Sequence, residues 1–137
     1  MISKMTTTYK IEQTFMFEFT QQQIDYFMSD ALDSGIGYWC GEATPFRNGT
    51  YLPTNEWPEG SKWASDTLTR GCDLRLGVRD EEGDDQFVVL TIDKLLNGIK
   101  KAATHRKMTV EAFVDDYDAD SCDIAVQFAV FDELVYG

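Results

Sequence analysis

Apolar residues alternate along residues 9–19: Tyr9, Ile11, Phe15, Phe17 and Phe19 share one parity, while Lys10, Glu12, Thr14 and Glu18 occupy the other. Period two over this length predicts a half-buried strand, with Met16 the one large apolar residue on its polar side. The period then changes. Thr20 is placed to cap a helix over 21–34, in which Ile24, Phe27, Met28, Ala31 and Leu32 form one stripe and Gly35 supplies the stop. Residues 35–46 set Ile36, Tyr38, Trp39 and Phe46 among Gly35, Gly37 and Gly41 with no sustained period. Residues 47–62 carry Pro53, Pro58 and Gly60, the marks of an exposed loop, and a short helix over 63–68 ends near Gly71. Residues 72–78 (CDLRLGV) and 86–92 (QFVVLTI) flank an acidic turn and predict a β-hairpin whose second arm is the more buried. Three helical segments follow. The first, over 93–104, turns Leu95, Leu96, Ile99 and Ala102 inward, and the second, over 108–115, is capped by Thr109. The last starts near Asp120 or Ser121 and carries Ile124, Phe128 and Phe131 on a single face.

Strand, helix, irregular segment, two hairpin strands and three helices is an order that argues for an α+β fold. The expected architecture is a small antiparallel sheet, made of the N-terminal strand plus the central hairpin, packed against three to four helices. At 137 residues the chain suits one domain spanning 1–137, with residues 1–7 as a flexible lead-in.

Composition narrows the partners. Hydrophobic residues make up 43% of the chain and aromatics 13%, which is enough for a core and argues against global disorder. The formal net charge of -12 opposes phosphate backbones and anionic membranes, so no nucleic acid or membrane partner is expected; the charge fits either a surface kept acidic for solubility or one that meets a basic site on a protein. Cys40, Cys72 and Cys122 lie far apart with no C-x-x-C pair, which speaks against a disulfide framework and a cysteine-based zinc site. Residues 1–8 hold no apolar signal-like stretch and no run approaches the length of a membrane span, so the expected setting is a reducing cytoplasm.

No motif carries chemistry outright. Gly35-x-Gly37-x-x-x-Gly41 has the wrong spacing for a dinucleotide loop and follows a helix instead of a strand. Its glycines are expected to let Tyr38 and Trp39 tuck in closely; the sharper alternative is an aromatic pocket in which one of them stacks on a flat ligand, with Lys100, Lys101 and Arg106 facing its phosphates. Asp116-x-Asp118-x-Asp120 begins like a calcium loop, but Ser121 stands where a glycine is needed and Gln127 where a bidentate Glu is needed. Carboxylates at a helix start are the simpler account. His105, the single histidine, sits in the basic run His105-Arg106-Lys107 at a helix C-terminus, where cations complement the helix dipole. No nucleophile stands beside a base, so no catalytic residue, metal or cofactor is expected. The most distinctive feature is charge segregation. Residues 94–107 hold five positive charges and no acid, whereas residues 108–137 hold eight acids and no base. Within the second block Asp115, Asp116, Asp118, Asp120 and Asp123 are the expected acidic binding face.

Several segments carry a resemblance. Residues 31–39 (ALDSGIGYW), 90–99 (LTIDKLLNGI), 118–121 (DADS) and 127–137 (QFAVFDELVYG) resemble a family of small proteins encoded by tailed phages and prophages. The likeness covers most of the chain and is weakest across 47–66. It implies a viral origin, expression in the cytoplasm of a bacterial host and an accessory role, and it brings no catalytic residue with it. With small size and acidity, it makes a non-enzymatic inhibitor of a host antiviral-defence protein, of the anti-CRISPR or anti-restriction type, the leading expectation. The alternatives are a protein that sequesters a nucleotide immune signal at Tyr38, Trp39, Lys100, Lys101 and Arg106, and a minor virion or assembly component. A homo-oligomer formed through the apolar C-terminal helix is a further expectation.

Overall fold

The computed structural model describes residues 7–9, 16–79 and 86–137. The fold is α+β, with four antiparallel strands in one sheet and four α-helices among the described residues. In chain order the elements are α1 (Gln21–Asp30), β1 (Cys40–Arg47), β2 (Thr50–Tyr51), β3 (Asp73–Val78), β4 (Gln86–Leu90), α2 (Ile92–His105), α3 (Val110–Asp115) and α4 (Ala119–Phe131). Across the sheet the strands run β2-β1-β3-β4.

Each helix starts where a short polar side chain can take a free backbone N–H. The Thr20 hydroxyl accepts from Gln23 N at 3.1 Å while Thr20 N donates to Gln23 Oε1 at 2.9 Å, a reciprocal cap at the start of α1. Thr91 and Thr109 each accept one N–H at the start of α2 and α3, and Asp118 makes a reciprocal cap with Ser121 at α4. The expected stripe of α1 is buried through Ile24, Phe27, Met28 and Ala31. Beyond Asp30 the helix widens into a π-turn, Ala31–Gly35, that presses on the first turn of α4. A Cβ at Gly35 would stand 3.0 Å from the Ala119 carbonyl oxygen and 3.1 Å from Cys122 Cβ, so only glycine allows this approach without a shift.

The central hairpin forms as expected, with register from Val78↔Gln86 to Leu74↔Leu90. Its burial is reversed, however: β3 lies between β1 and β4 and carries the fully buried Leu74 and Leu76, while β4 takes the edge. The strand joining the hairpin on its other side is β1, paired to β3 from Cys40↔Val78 to Phe46↔Asp73 with a bulge near Cys40. Of the expected N-terminal strand, residues 10–15 lie outside the described residues, and Met16–Phe19 form no strand. The turn at 80–85 also lies outside them. Within the 47–62 loop, Asn48 (φ 53°) and Gly49 (φ 75°) turn the chain back into β2, since two positive φ values make the hairpin turn that Asn-Gly favours. The expected helix over 63–68 is two short 3-10 turns, Ala64–Asp66 and Leu68–Arg70, tied to α1 by the Arg70–Asp25 ion pair at 3.1 Å.

Burial in α4 departs from expectation. Ile124, Phe128 and Phe131, expected on a single face, are only partly buried, whereas Cys122, Ala125 and Val126 are fully buried. The helix is enclosed on several sides by α1, α2, the π-turn and β4, and a helix covered on several sides shows no single apolar stripe. Against α2 the approach is closest: a Cβ at Gly98 would fall on the Ala125 carbonyl oxygen and 2.7 Å from Ala129 Cβ.

Candidate functional site

The two segments most distinctive in sequence meet around one buried carboxylate. Asp123, 9% exposed, accepts from the Tyr38 hydroxyl at 2.6 Å, from Trp39 Nε1 at 2.7 Å and from Gln127 Nε2 at 2.9 Å. Asp123 and Gln127 stand four residues apart and so share one face of α4. The Gln127 carbonyl oxygen in turn accepts the backbone N–H of Val135 and of Tyr136, each at 2.8 Å, and its amide donates to Tyr136 O at 3.1 Å. This single side chain folds the C-terminal residues back over Trp39, whose ring stacks on Tyr136 at 5.5 Å with 5° between planes and meets Phe131 at 5.3 Å.

The arrangement holds a charge without a cation. Among the described residues no Lys or Arg lies in ion-pair range of Asp123, and three hydrogen-bond donors meet its oxygens instead. Tyr38 feels the consequence. Its ring is 54% exposed but its hydroxyl end is turned onto Asp123; desolvation first, then the hydrogen bond and negative charge of Asp123, push its pKa from 10.0 to about 12, with a bond from Gln127 opposing. The folded state therefore keeps this proton while the unfolded chain loses it near pH 10. Stability from this source is fully present below that pH and is lost as pH rises toward the folded value. Urea midpoints for the native chain are expected to fall between about pH 9 and about pH 11.5. Tyr38→Phe should flatten that fall without abolishing it, because burial also raises Tyr117 and Cys122. An unchanged fall in Tyr38→Phe would contradict the assignment.

These contacts correct two expectations. Asp123 is not part of an acidic surface; it is an internal acceptor. Trp39 is also closed to any ligand, while Tyr38 keeps an exposed side. Trp39 is 1% exposed, its N–H is engaged by Asp123 and its face by Tyr136, so it offers no free surface to a ligand. Nor do Lys100, Lys101 and Arg106 share a site with it. They project from α2, where Lys101 pairs with Asp132 and Arg106 donates to Ser121 at 2.7 Å. Ser121, Ala125, Phe128 and Ala129 face α2 on the side of α4 opposite Asp123 and Gln127, so α4 separates the two groups. Lys100 and Lys101 instead edge a shallow hollow with Asn97, Thr104, His105 and Phe128.

The other four residues of the expected acidic face gather where α3 meets α4. Asp115 and Asp116 close α3, Asp118 caps α4 and Asp120 stands in its first turn, all exposed. Asp118 is occupied locally: it accepts from Ser121 N at 2.9 Å and lies 3.7 Å from Arg106, and those Ser121 bonds before all else hold its carboxyl below the usual range. Tyr117, between them, donates to Asp30 Oδ2 at 2.6 Å and draws the exposed end of α1 into the same acidic surface. The polar pair Asp123 and Gln127 was open to detection in the sequence as two polar residues at helical spacing inside an otherwise apolar run. Compared with protein-family models, curated proteins and solved structures, the chain matches none. No helix among the described residues is long and apolar enough to cross a membrane.

Proposed function

We propose that this is a non-enzymatic binding protein of phage origin that occupies a basic surface on a host antiviral-defence protein with its acidic end. The observation that carries the reading is the layout of Asp115, Asp116 and Asp120. All three are exposed where α3 meets α4, and among the described residues none has a cation within ion-pair range, whereas Asp118 between them is met by Arg106. Exposed, unmatched carboxylates contribute little to a fold. Grouped on one end, they steer a positively charged partner into place and lose that effect as salt screens them. The resemblance to small phage proteins supplies the class of partner. Inhibition by occupancy requires no catalytic group.

Tagged protein purified from bacterial cells that carry defence systems is expected to bring down one stoichiometric protein at about 0.05 M salt and to release it at about 0.5 M, where the screening length falls below about 5 Å. A preparation free of partners, or a partner retained unchanged at high salt, contradicts the acidic-end reading.

A further inference from the structure

The helices cover one face of the sheet, and the register places a defined set of side chains on the other. Inward-pointing Leu74, Leu76 and Leu90 fix the parity. Tyr51, Phe46 and Asp73 then form one outward row, Thr44, Arg75 and Val89 the next, and Glu42, Gly77 and Phe87 the third. Tyr51 is 61% exposed and Phe87 42% exposed. The Arg75 guanidinium lies 3.6 Å from the centroid of the Phe87 ring. Stacking of that kind occupies the flat face of a guanidinium and leaves its edge N–H donors free. Among the described residues no carboxylate comes within ion-pair range of Arg75, and the Glu42 carboxylate takes only the Thr44 hydroxyl, at 3.3 Å.

Arg75 and Glu42 are diagonal neighbours on adjacent strands, about 8 Å apart at their backbones. We propose that this open sheet face docks on a second copy of the chain, with Arg75 of each copy meeting Glu42 of the other. A two-fold axis lying in the interface and passing between the two residues sets each opposite its complement, as an isologous contact requires. The same axis passes beside Phe87, so the two rings come within reach of one another. A face of the same chain thus supplies both what Arg75 lacks and what Glu42 lacks, along with aromatic surface to match. With strands about 4.8 Å apart, three rows across four strands span on the order of 400 Å², about half of what each partner brings to a standard interface. The dimer is therefore reversible and concentration-dependent. This face does not include Asp115, Asp116 or Asp120, so its use is separate from that of the acidic end.

Sedimentation velocity of the full chain over a concentration series is the test. The native protein is expected to shift toward twice the monomer mass as concentration rises. Arg75→Glu and Glu42→Arg should each stay monomeric, and the double variant, which exchanges the charges, should dimerise again. Both positions are exposed, so at dilutions where the native protein is monomeric all three variants should melt within a few degrees of it, Arg75→Glu losing only the stacking on Phe87. Monomer at every concentration, dimerisation that survives Arg75→Glu, or failure of the double variant to recover it would each overturn the proposal.

Discussion

Trp39→Ala is expected to cost about 3–5 kcal/mol, the range for emptying a fully buried large aromatic site, and so to remove a large share of the roughly 5–15 kcal/mol that holds a domain of this size. Two losses combine. The indole fills the space between Phe131 and Tyr136, and its N–H is one of three donors that meet the buried Asp123. Trp39→Phe separates them. A phenyl ring keeps most of the apolar volume but leaves Asp123 Oδ1 with the Gln127 bond alone, so its cost should be about 1–3 kcal/mol, the penalty for a buried polar group short of a partner. Urea midpoints at neutral pH order the three proteins native, Phe, Ala. A Phe variant as stable as the native chain would mean that the Trp39–Asp123 bond contributes nothing.

Gly98→Ala should be nearly as damaging, and against the trend of its surroundings. In the interior of a helix this change ordinarily gains about 1 kcal/mol from backbone entropy. Here the added methyl meets the Ala125 carbonyl oxygen, a backbone atom that no rotamer change can move, and stands 2.7 Å from Ala129 Cβ. The helices α2 and α4 must separate, at a net cost of about 2–3 kcal/mol or more, the range for overpacking a close-packed core. Ala129→Gly in the same chain clears the side-chain contact but leaves the carbonyl, so thermal melting of the double variant should recover less than half of the loss. Full recovery would show that Ala129, and not the α4 backbone, sets the approach.

Local signals in the sequence were strong where they rest on one turn of chain. Thr20 and Thr109 cap helices because a hydroxyl three residues before a free N–H can reach it in any context, and the stripe Ile24, Phe27, Met28, Ala31 needs only one face to cover. The signals failed where burial depends on partners distant in sequence. Strand β1 carries Gly41 and Pro45 and alternates poorly, so nothing local marks it. Pro45 is tolerated because its carbonyl, and hence its missing N–H, points toward the β2 side, where it accepts from Leu52 N at 3.1 Å, while the pairing to β3 continues on the other side. The buried face of α4 was hidden for a related reason. A helix enclosed by four neighbours has no outward stripe to betray its orientation, and Asp123 and Gln127 look like surface residues until Trp39 and the backbone of Val135 and Tyr136 are brought to them. The acidic end was legible as a charge block. That Asp118 is a helix cap and Asp123 an internal acceptor, leaving Asp115, Asp116 and Asp120 as the unmatched set, required the fold.

The most direct test of the proposed function is a paired measurement on Asp115→Lys/Asp116→Lys/Asp120→Lys: its melting temperature and its affinity for the captured defence protein at low salt. Lysine suits the C-terminal end of α3 at Asp115 and Asp116 but not the first turn of α4 at Asp120; these effects of about 0.3–1 kcal/mol each oppose one another, so melting should stay within a few degrees. Affinity should fall by at least about a hundredfold, as like charges are brought together across the contact. Native affinity in a variant that folds normally would contradict the account.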